Sequence, residues 1–371
     1  MTEIAQIVRK AVERQGVIPF AEFMRLALYC PKYGYYEQAE SRIGRAGHFL
    51  TSVSIGSLFG ELLAFQAAEW LENLPGGRLQ LVEAGAHDGQ LAADVLNWFS
   101  RAQPALLKSM EYWIIEPSAC RQAWQKSKLE NFADRVRWFQ SLAALPRAGV
   151  NGIIFSNELL DAMPVRRIGW DASSARWFEW GVTINGSRQG HFVWEKIPRE
   201  AGFLAAELVQ SGLELPSEML AALPDGFTLE VCPEAATWWK EAASALKEGK
   251  LLTIDYGLES EQFITAERAG GTLRAYYRHH SSADVLGNVG EQDLTAHVNF
   301  TQLQRAGEAT GLLTEGLFSQ ERFLTNVAAR AWQKEASLGA RTPEQVRQFQ
   351  TLTHPEHLGR SFSVFLQARG A

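Results

Sequence analysis

From Leu79 onward, short apolar runs alternate with helical stretches, and this alternation restricts the chain to a parallel, doubly wound α/β sheet more tightly than any other feature. Leu79-Gln80-Leu81-Val82-Glu83 reads as a buried strand, with a helix from Gln90 to Phe99 packed behind it. Tyr112 to Glu116 is the next strand, Ala119 to Leu129 a helix, and Gly152 to Ser156 a third strand followed by a turn. Later, a helix over Ala235 to Leu246 precedes a strand from Leu251 to Asp255, and Ser361 to Gln367 reads as a final strand that closes the sheet. The alternation breaks once. Arg176 to Ile184 and His191 to Trp194 are β-prone runs around an Asn185-Gly186 turn with no helix between them, which predicts an inserted antiparallel hairpin. The α/β order is expected to resume at Phe227 to Val231, so the insertion spans residues 166–226.

Ahead of the sheet lies a helical preamble. Ile4, Ile7, Val8, Ala11 and Val12 recur at helical spacing before Gly16, a second helix covers Phe20 to Leu28, and a third lies near Leu58 to Leu71. The expected organisation is a helical cap over 1–77, a first part of the core over 78–165, the insertion over 166–226 and a second part of the core over 227–371. With 371 residues and 46% hydrophobic content, the chain has enough apolar surface for a large core. A net charge of -6 and a pI near 5.8 give no basic footprint for a phosphate backbone, so nucleic-acid partners are disfavoured and cationic ones fit better. Cys30, Cys120 and Cys232 are odd in number and scattered, without the spacing of a zinc site or a disulfide framework. No metal is expected. The first residues mix Glu3, Arg9, Lys10, Glu13 and Arg14 on a helical period, unlike a signal or transit peptide, and no stretch approaches a membrane span. Together these features predict a cytoplasmic protein.

The first strand meets its helix through Glu83-Ala84-Gly85-Ala86-His87-Asp88-Gly89, a short loop where Gly85 and Gly89 let backbone approach a ligand and amides point outward. Glu116, at the end of the next strand, is placed to accept hydrogen bonds from both ribose hydroxyls of a nucleoside. A dinucleotide fingerprint needs three glycines at G-x-G-x-x-G spacing, and Ala86-His87-Asp88 separates the two present here. S-adenosylmethionine (SAM) is therefore favoured over NAD. The bland alternative is a tight strand–helix turn beside a solvated strand end.

These residues resemble the MidA-like methyltransferases, the family of the mitochondrial complex I assembly methyltransferase. The resemblance is carried also by Phe23 to Tyr36, by Ser156-Asn157-Glu158-Leu159-Leu160-Asp161-Ala162-Met163-Pro164-Val165, by Gly271 to Tyr276 and by Gly290-Glu291-Gln292-Asp293-Leu294-Thr295-Ala296-His297-Val298. It extends over nearly the whole chain, and residues 157–165 and 290–298 are its most specific parts. It implies a Rossmann-like class I methyltransferase sheet with a helical N-terminal cap, SAM as cofactor held by Glu83, Gly85, Gly89, Glu116 and Asn157, and methylation of an arginine in a protein substrate. Three departures stand out. His87 replaces a further glycine, Gly47-His48-Phe49 replaces Gly-Asp-Phe, and Val53-Ser54 replaces the Pro-Glu that follows Thr-Ser.

Methyl transfer is an in-line displacement, so the enzyme chiefly orients the nucleophile. A guanidinium is a poor, always protonated nucleophile and needs carboxylates to draw its charge away from the attacking nitrogen. Glu158 and Asp161 follow a predicted strand at the sheet's carboxyl edge and are the leading acids, although Asp161 before Pro164 is also an ordinary turn residue. His279 and His297, in or just after the two late motifs, are candidate proton acceptors, with structural histidines as the plainer reading. The tyrosines at 33, 35 and 36 read as packing rather than a cation cage. The alternative to an enzyme is a binding or assembly factor that keeps the fold and has lost catalysis, motivated by His48, Val53-Ser54 and His87.

Overall fold

The computed structural model describes residues 2–38, 51–75, 77–186, 190–200, 202–277, 280–334 and 341–370. Seven main strands form the path of the central sheet, β1 (Leu79–Ala84), β2 (Met110–Ile115), β3 (Val136–Phe139), β4 (Val150–Asn157), β5 (Leu246–Leu258), β6 (Leu313–Ser319) and β7 (Phe362–Arg369), and the short strand Val298–Asn299 pairs with the end of β5 beside it. Their spatial order is β3-β2-β1-β4-β5-β7-β6. The first five run parallel, and β7 lies antiparallel between β5 and β6. This is the open, mostly parallel α/β sheet that the strand–helix alternation predicts, and the order reverses between β1 and β4, where open α/β sheets bind ligands.

The principal helices in chain order are α1 (Glu3–Gln15), α2 (Phe20–Tyr29), α3 (Leu58–Glu72), α4 (Gln90–Ala102), α5 (Ala119–Lys128), α6 (Pro233–Ala245), α7 (Phe300–Glu308), α8 (Gln320–Lys334) and α9 (Pro343–Thr353). Every residue of β1 is buried, as a strand covered on both faces requires. One face packs on α3, α4 and α8 through Phe59, Leu63, Leu96 and Leu324. The other packs on α6 and α7 through Trp239, Ala242, Phe300 and Leu303.

The hairpin expected after residue 166 is present: Arg176–Ile184 pairs antiparallel with Phe192–Ile197. The point of return to the core is corrected. Thr228–Val231 pairs antiparallel with Arg166–Asp171 in the inserted sheet, and the core resumes after it with α6 and β5. An apolar run states that a strand is buried but not which sheet buries it, and both sheets offered an open edge. Within the N-terminal cap, α3 packs on the central sheet and the first residues join the insertion. Ile18–Pro19 adds a short strand to the inserted sheet opposite Val182 and Gly181. Ile4, Val8, Phe20 and Phe23 share one apolar cluster with Val165, Val182, Leu273 and Leu294. The first two helices, the insertion and the two late motifs thus form one roof over the sheet's carboxyl ends. None of the described helices is long and apolar enough to cross a membrane.

Helix α6 walls the space under that roof and is tied to the sheet by the buried Trp239, whose indole N–H donates to Gln367 Oε1 at 2.7 Å. Trp239→Phe leaves that oxygen buried without its donor and is expected to cost about 1–3 kcal/mol. Urea unfolding should show a lower midpoint at unchanged slope. An unchanged midpoint would mean the bond holds nothing.

Candidate active site

Between roof and sheet lies a cavity of about 1340 Å³. It exceeds the roughly 300–1,000 Å³ of a single small-ligand pocket, which leaves room for a second reactant. At its sheet end the loop after β1 turns through Gly85 at φ +76° and Gly89 at φ +88°. A Cβ on Gly85 would lie 2.9 Å from Leu159 Cδ1, and one on Gly89 3.3 Å from the Gln125 backbone, so both positions need glycine for conformation and pack closely besides. His87 takes the same left-handed region at φ +45°, a conformation that glycine adopts freely and histidine only at some cost. Its imidazole stands beside Asp88, 3.8 Å away, and 6.3 Å from the Trp124 ring. It lines the hollow without filling it, since Gly85, Ile115 and Glu116 still face the same space.

Glu116 is almost fully buried at the end of β2. Its Oε1 accepts from the Ser118 amide and from Arg121 Nη2, both at 2.8 Å, and Oε2 accepts from Gln125 at 3.2 Å. A carboxylate offers about four acceptor positions, so Oε2 keeps one for a ligand hydroxyl. Glycine turn, open acid and cavity together fit an adenosyl group.

At the other end the chain leaves β4 through Glu158, also left-handed at φ +51°. Asp255 on β5 shapes this turn: its Oδ2 accepts the amides of Leu159 at 3.2 Å and Leu160 at 2.9 Å, and its Oδ1 accepts that of Tyr256 at 2.9 Å. Glu158 lines the cavity, and its Oε1 accepts from Asn157 Nδ2 at 3.0 Å and from the Ser52 amide at 3.3 Å. Burial pushes its carboxyl up to about 8, in spite of these bonds. Asp161, 4% exposed, does not line the cavity. Burial, reinforced by Asp255, Asp293 and Glu158, raises it well above the usual carboxylate range.

A family model described as "Putative S-adenosyl-L-methionine-dependent methyltransferase" matches residues 62–318, well over half of the chain. The chain belongs to this family. This methyltransferase is 28% identical to the mitochondrial protein arginine methyltransferase NDUFAF7 of Danio rerio over 94% of its own length and 83% of that protein's. It is 26% identical to the Homo sapiens protein of the same name, over 95% of its length and 80% of that protein's. Among solved structures, it resembles a Burkholderia thailandensis protein bound to S-adenosyl-homocysteine, with a TM-score of 0.84, 31% identity, and coverage of 99% of this chain and 92% of that one. The expectation of a cytoplasmic protein does not stand, because these curated relatives are named as mitochondrial. Unpaired cysteines report a reducing environment, which is not particular to one compartment.

The methyltransferase's predicted residues fall into two groups. Gly85, Glu116 and Glu158 face one cavity. Glu83, Gly89, Asn157, Asp161 and His297 do not line it. Glu83 is buried and accepts the Tyr112 hydroxyl at 2.6 Å, Gly89 starts α4, and Asn157 bonds to Glu158. His297 is half-buried, its amide donating to Thr272 Oγ1 at 3.1 Å while its Nδ1 is buried without a partner among the described residues. Burial, then Arg274 and Arg268, depress its imidazole to about 4, which keeps it neutral. His279 and Gly47-His48-Phe49 lie outside the described residues. Tyr29 and Tyr36 line the cavity, their hydroxyls donating to the Ala162 carbonyl at 2.9 Å and to Asp293 Oδ1 at 2.7 Å. Reading 33, 35 and 36 as plain packing missed Tyr36, and nothing in the sequence marked Arg121, Trp124 or Trp238, which also face the cavity. The buried carboxyls carry a pH signature. Folded Glu158 keeps its proton up to about pH 8 and its unfolded counterpart loses it near 4.5, so this stability is full below about pH 4.5 and is lost as pH rises towards 8. Glu158→Gln should therefore shrink the fall in melting temperature between pH 6 and pH 8.5, read by thermal scans. Parallel curves for the two proteins would contradict this.

Proposed function

We propose that the protein transfers a methyl group from SAM to an arginine of a protein substrate, with the adenosine across the ends of β1 and β2 and the guanidinium against Glu158. The observation that carries this reading is a carboxyl held in a strained backbone conformation at the wall of the same cavity as Gly85 and Glu116. The curated relatives' names, as protein arginine methyltransferases, support the choice of acceptor.

When bound, SAM supplies an electrophilic methyl group on a sulfonium centre. Gly85 and Gly89 keep the loop after β1 close to where that cofactor lies, and Glu116 takes a ribose hydroxyl on its open Oε2. Glu158 accepts N–H bonds from the guanidinium, drawing positive charge away from the nitrogen that faces the methyl group, and receives the proton which that nitrogen sheds. In the unliganded cavity Glu158 holds a proton up to about pH 8, so an arriving cation displaces it and acceptor binding tightens as pH rises through that range. Asn157 orients Glu158. Asp161 and Asp255 hold the turn beneath it, a positioning role rather than contact with substrate. His297, neutral and behind the wall, has no part in the proton transfer.

Transfer of a labelled methyl group to arginine-bearing protein, with mass spectrometry of the modified residue, tests the assignment. Glu158→Gln should lower the rate by roughly 10²–10³-fold, the cost of losing one such electrostatic partner. Affinity for S-adenosylhomocysteine should change by less than about threefold, a fraction of a kcal/mol. Label on a lysine or a small molecule would overturn the acceptor, and an active Glu158→Gln would overturn the role of Glu158.

A further inference from the structure

We infer that Glu37 is a positioning residue for the cofactor's ribose: it holds Arg121 partly off Glu116 and at the same time fastens the roof over the nucleoside. The inference rests on the cofactor placement proposed above.

Residues 29–38 cross the cavity as a strap. It is fastened at one end by Tyr29 to the Ala162 carbonyl, and further along by Tyr36 to Asp293 and by Gln38 Nε2 to the Gly290 carbonyl at 3.0 Å. On the cofactor side its fastening is Glu37. Its Oε2 accepts the Ser118 hydroxyl at 2.7 Å, and its Oε1 lies 3.3 Å from Arg121 Nη1. The other terminal nitrogen of the same guanidinium, Nη2, donates to Glu116 Oε1 at 2.8 Å. The three side chains are 12%, 10% and 1% exposed, so one buried cation is divided between two buried carboxylates.

That division decides what Glu116 can do. A guanidinium facing a single carboxylate closes on both oxygens as a fork. On Glu116 such a fork would take the open position on Oε2 and neutralise the charge that a ribose hydroxyl needs. Glu37 supplies the opposing pull. It keeps the fork open, leaves Glu116 net negative towards the cavity, and ties the strap to the loop that carries the acid.

Titration calorimetry with S-adenosylhomocysteine and its 2′-deoxy analogue separates this from a plain latch. The wild type should prefer the ribonucleoside. In Glu37→Gln its affinity should fall roughly tenfold, the worth of one charge-assisted hydrogen bond, and the analogue's should fall by no more than about twofold, so that the preference collapses. Glu37→Gln/Arg121→Gln, which also removes the competing cation, should recover the preference. Glu37→Asp, shorter but still anionic, should fall between wild type and Glu37→Gln and serves if the neutral variant does not fold. Equal losses for both ligands, or none for either, overturn the inference while leaving the proposed function intact. A folded wild type that binds neither ligand overturns both.

Discussion

The wall of the cavity depends on one buried carboxylate that does not itself line it. Asp255, at the end of β5, accepts two amides of the turn that follows β4 as well as the amide of Tyr256. Each of those N–H groups is buried or half-buried and would cost about 1–3 kcal/mol if left without an acceptor, so the turn has one arrangement rather than several. That arrangement puts Glu158 in a left-handed conformation facing the cavity and Asp161 behind the wall, its carbonyl accepting the Ala296 amide at 2.9 Å. The motif after β4 and the motif before α7 are thus joined through backbone. Within that motif Glu158 is the acid that faces the cavity, and Asp161 is buried behind it.

The opposite end of the cavity follows the same logic. Gly85 and Gly89 turn the loop after β1 tightly against Leu159 and Gln125, and His87 accepts the strain of a left-handed backbone between them. The Gln125 amide group, which bonds the His87 carbonyl at 2.9 Å and Glu116 at 3.2 Å, links that loop to the acid at the end of β2. Lys32, His87 and Glu158, three non-glycine residues with positive φ, line this one cavity. Strain concentrated at a ligand cavity is what preorganisation demands, and it is paid for by the packed sheet beneath.

Much of the fold was legible because burial on both faces writes itself into continuous apolar runs: β1, β2, β4, β5 and β7 all show in the sequence. The return point at Thr228–Val231 was not, since partner choice between two sheets leaves no local mark. Of the site, Gly85, Glu116 and Glu158 were legible as glycine and acid at strand ends. Asp161 and Glu158 sit on one turn and cannot be told apart by type or spacing, and only the hydrogen bonds of Asp255 separate the facing acid from the buried one. Tyr36, Arg121 and Trp124 reach the cavity through contacts between distant segments, which sequence periodicity does not encode.

A structure determined with S-adenosylhomocysteine bound tests the account most directly. A ribose hydroxyl is expected at Glu116, with the adenosine across the ends of β1 and β2, His87 at its edge, and the sulfur directed towards Glu158. A nucleoside bound elsewhere in the cavity, or a sulfur turned away from Glu158 with Asp161 or His297 in its place, would contradict it.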